Sequence, residues 1–551
     1  MEQARLVIAI ALSLFVFILW NFFFTEKKEN QPPKPIQKEE QKAGDKPNIL
    51  KKEQVVAKKS TLPAKIPTLP MKPARTVTVK TPLYIVKISE KGAVFKSYVL
   101  KNYRETIDAD SPLLEMIPPS ISDGSICLGF AGSSISGFHD AVFSGDIDGD
   151  SVDVINKPKN ISFVWTSPQG VTIEKKFSFS PDTYMIDLGI TIRNFSGETL
   201  RDSVVLSLAQ PAKIKQSRYG FTGPSALINN KLEQIKTKKI KDKNIYTGNI
   251  KWVAVQNRYF MSAIIPDDPA DGGMQLYVDD KVLINRYVRP EVVMDSGTLH
   301  VFKYKLFFGP KSMRVLKRLD YDLIKAVHFG MFDIIAKPCV WIMNFIYDHF
   351  IPNYGVAIIM LTLFTKIILW PLGNKSYKSM AEMKRIQPLM AEIKEKYKDD
   401  KKRMNEEVMA LYKTYKVNPM GGCLPMLAQI PIFFALYRML YEAIELRHAP
   451  FFWWINDLSA PDRLFRFDFH VPFMQPPYGI PVLTIIMGAS MFLQQKMSPP
   501  MGDAAQAKMM MLMPLVFTVM FINFSSGLVL YWLVNNIISM AQQYYIQKKN
   551  V

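Results

Sequence analysis

Catalytic and metal-binding chemistry is scarce in this sequence. Its 551 residues hold three cysteines, Cys127, Cys339 and Cys423, too few and too irregularly spaced for a disulfide framework or a zinc site. Each reads as an ordinary buried thiol. The six histidines, His139, His300, His328, His349, His448 and His470, form no HExxH pair or clustered spacing, so a metalloprotease-type site is excluded. There is no GxxxxGKS or GxxxxGKT loop to cradle phosphate and no GxSxG ahead of a helix. No enzyme, metal or cofactor is expected. An even spread of apolar residues is also missing. They come in blocks at 6–24, 354–372, 421–441, 479–495, 509–524 and 527–541, so poor in charge that they read as membrane helices. A purely soluble, a disordered and a collagen-like protein are all excluded.

The totals, 48% hydrophobic and a net charge of +20, average unlike materials. The first block ends in FFFTEKK without a small-residue cleavage site and reads as an uncleaved anchor over 1–25. Residues 26–75 follow as a Lys/Pro-rich linker with 13 Lys and Arg against 6 acids, a solvated spacer that alternatively touches anionic headgroups. From residue 76 to about 315 the pattern turns to β-branched alternation, as in TVTVKTPLYIVKISE and VTIEKKFSFS, broken by turn residues. That pattern predicts an all-β sandwich large enough to bury its own core. Its lysine-rich stretch, Lys231 to Lys243, reads as an exposed loop. Residues 320–350 carry apolar positions at helical spacing among charges, which suits an amphipathic helix on a membrane surface. The remainder, 351–546, reads as a helical membrane core.

Orientation follows from the loops. Residues 375–416 hold 12 Lys and Arg against 7 acids between two apolar blocks, so the positive-inside rule places them in the cytoplasm. Parity then puts the β region and residues 443–478 outside and the C-terminus inside. Lys27, Lys28 and Lys34 beside the first block point the other way, but long segments translocate largely regardless of charge. Within 375–416, Met383, Ile386, Met390, Ile393 and Tyr397, then Met404, Val408, Leu411 and Tyr415, recur at steps of three and four. They predict a helical hairpin, separated at Asp399 and Asp400 and kinked or interrupted at Pro388. Lys384, Arg385, Lys401, Lys402 and Arg403 give it a basic outer face suited to ribosomal RNA, acidic lipid or plain solvent.

The sharpest feature is Lys366 inside YGVAIIMLTLFTKIILWPL. A cation in a span costs about 2.5–3.5 kcal/mol on insertion scales, so it faces a polar cavity or snorkels to the interface. Thr362, Thr365, Gln429, Asn535 and Asn536 are candidates to line such a cavity, or alternatively to bond helices together. Nineteen of the 30 methionines follow Pro371, in keeping with a surface that accepts varied apolar partners or with lipid-facing filler. The 509–524 block is short, about 24 Å against a hydrocarbon layer of about 30 Å, which implies snorkelling ends or a thinned bilayer.

Several long segments, LTLFTKIILWPL (361–372), VNPMGGCLPMLAQIPIFFALYRML (417–440), LRHAPFFWWINDLS (446–459), FLQQKMSP (492–499) and MPLVFTVMF with SSGLVLYWLVNN (513–536), resemble the YidC family of bacterial membrane protein insertases. The resemblance is dense over about 320–546; the β region matches by position and class. It implies a five-helix insertase core plus an N-terminal anchor helix, with an all-β periplasmic domain similar to the galactose-mutarotase supersandwich. It also implies a hydrophilic groove open to the cytoplasm, carrying one basic residue where Lys366 stands in place of the family's usual arginine. The exchange matters because a guanidinium keeps its charge where an ammonium can shed it. The family's apolar slide maps to Ile430, Phe433, Met520 and Phe524. Implied partners are nascent membrane proteins, the lipid bilayer and the Sec translocon, with the ribosome and the signal recognition particle receptor as further candidates. The implied location is the bacterial inner membrane. Two rivals stand beside this reading: a small-solute transporter, against which no inverted repeat or Gly/Pro-interrupted pair is evident, and a membrane-anchored carbohydrate enzyme, for which only His139 and His300 are at hand.

Overall fold

The computed structural model describes residues 74–549 apart from 213–219, 269–270, 280, 416, 418–423 and 499–503. The expected anchor at 1–25 and all but the last two residues of the expected linker lie outside the described residues. Residues Lys72–Val551 form one compact unit.

Alternation builds the β region. In Val171–Phe179 the odd-numbered positions face inward and the even ones face outward or half-outward, as a strand with one buried face requires. A five-stranded sheet orders 113–115, 94–104, 84–89, 76–80 and 151–153. A larger sheet of thirteen strands packs against it, with Leu299–Pro310 antiparallel to both Met185–Asn194 and Phe260–Pro266. Aromatic rings lock the layers together: Tyr98 of the smaller sheet stacks on Phe308 of the larger at 4.8 Å, and Phe95 meets Phe177 at 5.3 Å. Such pairs add about 0.5–1.5 kcal/mol each beyond the area they bury. The lysine-rich stretch is not a plain loop. It is a strand, Lys231–Gln234, and a short 3-10 turn, Thr237–Lys241, pinned by buried Ile240 while its lysines remain exposed.

One inward position breaks the apolar rule. Lys175 is fully buried, and its Nζ donates to the carbonyls of Gly92, Ala93 and Ile126 at 3.2, 2.6 and 3.1 Å. Burial pushes its ammonium down to about 7 because the charged form is poorly solvated there.

The segment expected to be helical from 320 begins later. Asp320, Tyr321 and Asp322 all take left-handed backbone (φ 58°, 53° and 57°), which no right-handed helix admits. Lys251 holds Asp322 at 2.5 Å. Helix α1, Met313–Arg318, precedes this stop and helix α2, Asp333–His349, follows it. Asp333 starts α2 by accepting from Phe329 N, His328 Nδ1 and Lys337 Nζ at 2.6, 2.8 and 2.8 Å. Partial burial opposes its ionisation, but these donors win and lower its carboxyl to about 2. Within α2, Ile334, Trp341 and Phe345 are exposed while Ala336, Val340 and Met343 are buried, so apolar side chains lie on both faces.

Helix α3, Tyr354–Lys396, starts at Asn353, whose side chain accepts from Gly355 N and Val356 N. It runs 43 residues, about 64 Å along the chain, and stays helical through Pro371 and Pro388. Of the kink or interruption expected at Pro388, the interruption does not occur. Pro388 sits on the exposed side, where water can serve the carbonyl it leaves unpaired. Helix α4, Lys401–Thr414, turns back after Asp400, which caps it through Arg403 N at 3.0 Å. Helices α5 (Leu424–Glu442), α6 (Val482–Met497), α7 (Ala504–Phe521) and α8 (Ser526–Lys549) complete the described bundle. Among the described residues, α3 alone is long and apolar enough to cross a membrane by length and composition, and Met509–Phe521 is a shorter apolar stretch. Helix α6, with 16 residues, spans about 24 Å. Gly488 of α6 lies so close to Thr518 of α7 that a Cβ would collide with its side chain, a close approach that only a small residue permits between packed helices.

The β domain is tied to the bundle through polar contacts. Arg258 donates to Tyr441 O at 2.6 Å, and Ser312 Oγ donates to Glu445 at 3.1 Å. Burial raises the Glu445 carboxyl against that hydrogen bond.

The buried ammonium gives a pH test. Between about pH 7 in the folded state and about 10.4 unfolded, the unfolded chain binds the extra proton at Lys175, so its penalty fades as pH rises. Compared with Lys175→Met, the wild-type β domain should gain about 1.4 kcal/mol per pH unit through that window. Urea unfolding of the full chain, followed by tryptophan fluorescence, reads the difference; parallel pH profiles would refute it.

Candidate functional site

Helix α8 carries Asn535, Asn536, Ser539, Gln542 and Gln543 in an otherwise apolar run. Steps of three and four put them on one side of the helix, turned toward α3, α5 and α6. Lys366 Nζ of α3 donates to Ser539 Oγ at 2.7 Å, and Ser539 Oγ donates on to Asn535 O at 2.6 Å. Gln429 Nε2 of α5 donates to Asn535 Oδ1 at 2.9 Å. Lys366, Ser539, Asn535 and Gln429 are therefore one connected chain across three helices. Depth agrees on both sides of the contact. Lys366 lies twelve residues after Tyr354 and Ser539 thirteen after Ser526, about 18 and 20 Å along helices that enter from the same end.

Two further layers flank this chain. Asn536 Nδ2 donates to Ser490 Oγ of α6 at 3.0 Å. Gln542 Nε2 donates to Asn374 Oδ1 at 2.8 Å, and Gln543 Nε2 reaches Met497 O at 3.0 Å. Thr362 does not join: it is buried and its hydroxyl returns to Ile358 O on its own helix at 2.7 Å, and Thr365 likewise bonds Thr362 O. Ser539, Gln542, Asn374 and Ser490 escaped the sequence reading. For Ser539 and Gln542 the signal was available in the polar spacing of NNIISMAQQ, which a search for charge inside apolar blocks passes over.

Lys366 is only half-buried, with Leu363, Phe364 and Ile367 exposed around it. An ammonium has three donors, and the partner the described residues supply is one neutral hydroxyl. Such a group can accept a further hydrogen-bond acceptor or an anion.

The four residues assigned to an apolar slide separate. Ile430 and Met520 are exposed. Phe433 and Phe524 turn inward into an aromatic cluster, Phe433 against Trp532 at 4.7 Å and Phe524 against Phe521 at 4.8 Å. On the hairpin, Lys384, Arg385, Lys401, Lys402 and Arg403 are exposed. Met383 and Met390 are partly covered, and Met390 Sδ accepts from Tyr412 Oη at 3.5 Å, joining the two arms.

A bundle with a polar seam, carrying a β-sandwich at its head, defines an inner-membrane protein: residues 345–551 match the family described as 60Kd inner membrane protein, and 76–342 match the YidC periplasmic domain. The chain belongs to the YidC family of membrane protein insertases. It is similar to the membrane protein insertase YidC of Syntrophus aciditrophicus, 39% identical over 99% of each chain. It is also 40% identical to that of Syntrophobacter fumaroxidans, covering 99% of this chain and all of the other. A crystal structure of an active YidC insertase with its first transmembrane domain resolved is 20% identical, covering 86% of this chain and 93% of that one, with a TM-score of 0.38.

The seam predicts energetic coupling. In a double-mutant cycle of Gln429→Ala and Asn535→Ala, thermal unfolding in detergent should show a coupling of about 0.5–1.5 kcal/mol. Strict additivity would break the link between α5 and α8.

Proposed function

We propose that this protein inserts nascent membrane proteins into the inner membrane, with Lys366 receiving the polar or acidic flank of the incoming segment. The observation that carries the reading is an ammonium held between helices with one neutral hydroxyl as its described partner. A carboxylate arriving beside it gains a charge-assisted hydrogen bond and loses part of its desolvation cost. The basic hairpin, residues 375–416, extends from the same helix as Lys366 and receives the substrate on the cytoplasmic side. The apolar part of the substrate then leaves past the exposed Ile430 and Met520 into lipid. A short helix such as α6 thins the bilayer around the route, shortening the path of the polar flank. The β domain stands in the periplasm, the C-terminus in the cytoplasm, and the five helices α3 and α5–α8 form the membrane core. The Sec translocon, the ribosome and the signal recognition particle receptor are its proposed partners. The transporter reading draws no support from the relatives, which are named insertases along their whole length.

The test is Lys366→Glu beside Lys366→Arg, in full-length protein reconstituted in liposomes. A single-span substrate with an acidic flank should lose insertion about tenfold or more with glutamate, equivalent to at least about 1.4 kcal/mol, and retain it with arginine. Protease protection of the translocated flank reads the result. Equal insertion by both variants sinks the charge role.

A further inference from the structure

The connection between α5 and α6 carries large aromatic side chains that none of the described residues covers. Trp453, Phe465 and Phe473 are 88%, 74% and 80% exposed. The same three residues hold left-handed backbone, with φ of 55°, 51° and 65°. A side chain with a Cβ disfavours that conformation, so each is held outward against both its backbone preference and the hydrophobic effect. In water nothing offsets either cost. Burial in an apolar layer does, since it takes a large aromatic side chain out of water.

The backbone that presents them is fastened rather than loose. Asp457 Oδ1 accepts from His448 N and Ser459 N at 3.1 and 2.8 Å. Arg463 Nη1 donates to Ile522 O at 2.9 Å, and Asn523 Nδ2 donates to Phe473 O at 2.7 Å. Ser526 Oγ donates to Asp457 O at 2.7 Å. These bonds bind the connection to the turn between α7 and α8. At its other side Phe451 packs so tightly on the start of α3 that a Cβ at Gly355 would meet its ring. The connection thus lies across the ends of α3, α6, α7 and α8, all at the end of the bundle opposite the hairpin. Phe350 and Ile351, exposed just before α3, continue the apolar rim.

We propose that residues 451–480 form an aromatic collar that seats in the headgroup layer of the outer leaflet and fixes the depth of the bundle in the membrane. Lipid is the occupant the geometry favours, because the connection that exposes these aromatics is fastened across the helix ends, at the α7–α8 turn and the start of α3, where a membrane-spanning bundle meets its boundary. Trp and Phe at that level form the belt that a water–membrane boundary selects. The collar sets a reference height: with α3 and α8 pinned at their outer ends, Lys366 and Ser539 are held about 18–20 Å inward. The proposal rests on the outward placement of this connection and not on the insertion chemistry.

Full-length protein with Cys127, Cys339 and Cys423 replaced by alanine, melting as the wild type does, takes single Trp453→Cys, Phe465→Cys or Phe473→Cys substitutions. Each is labelled with an environment-sensitive fluorophore in nanodiscs of phosphatidylethanolamine and phosphatidylglycerol. Doxyl groups near the headgroup should quench these labels at least about twofold more than doxyl groups deep in the chains, as expected about 5–10 Å below the surface. Aqueous iodide should reach them poorly but quench a Phe195→Cys label on the β domain, where Phe195 is also exposed. Iodide quenching at the collar equal to that at position 195 overturns the proposal. Shielding from both iodide and doxyl lipid also overturns it, in favour of a second copy or another protein as the cover. Should the strained positions fail to fold when replaced, Phe469→Cys carries the same test, because Phe469 is exposed on ordinary backbone.

Discussion

A positive charge inside an apolar bundle must be solvated by something, and much of this structure follows from how Lys366 is solvated. Among the described residues its partner is a single hydroxyl. It orients the ammonium through Ser539 while leaving donor capacity that a passing carboxylate can take up. The amides of α8 then make α3, α5 and α6 mutually dependent, so the position of the charge is set by the whole bundle and not by one helix.

The β domain solves a related problem by opposite means. Lys175 also occupies an apolar interior, but three carbonyls enclose it and no exit to solvent remains. The same residue type is structural in one half of the chain and accessible in the other. Burial and the number of acceptors decide which, not the presence of the charge.

Much of this was legible beforehand because it depends on period and charge. The alternation of VTIEKKFSF set the strand, and a lysine in an apolar block marked α3, whereas the burial of Lys175 came from the structure. What escaped depended on neighbours. The pairings of the polar seam became visible only when Ser539 and Gln542 met side chains more than 160 residues away in sequence. The stop at 320–322 depended on backbone angles that Asp and Tyr seldom adopt, imposed in part by Lys251 from a distant strand. Pro388 misled because proline's penalty is smallest where water replaces the missing bond. Phe433 and Phe524 were indistinguishable from lipid-facing residues until Trp532 and Phe521 were seen to claim their rings.

The unbroken course of α3 has a mechanical consequence. Thirty residues separate Lys366 from the helix end at Lys396, about 45 Å, and no loop intervenes. The arm is thus more than twice as long on the hairpin side of Lys366 as on the side anchored at Tyr354. A rigid arm of those proportions, pivoting at Tyr354, converts a sideways displacement of the hairpin tip into a smaller, same-sense displacement of the turn that carries the ammonium.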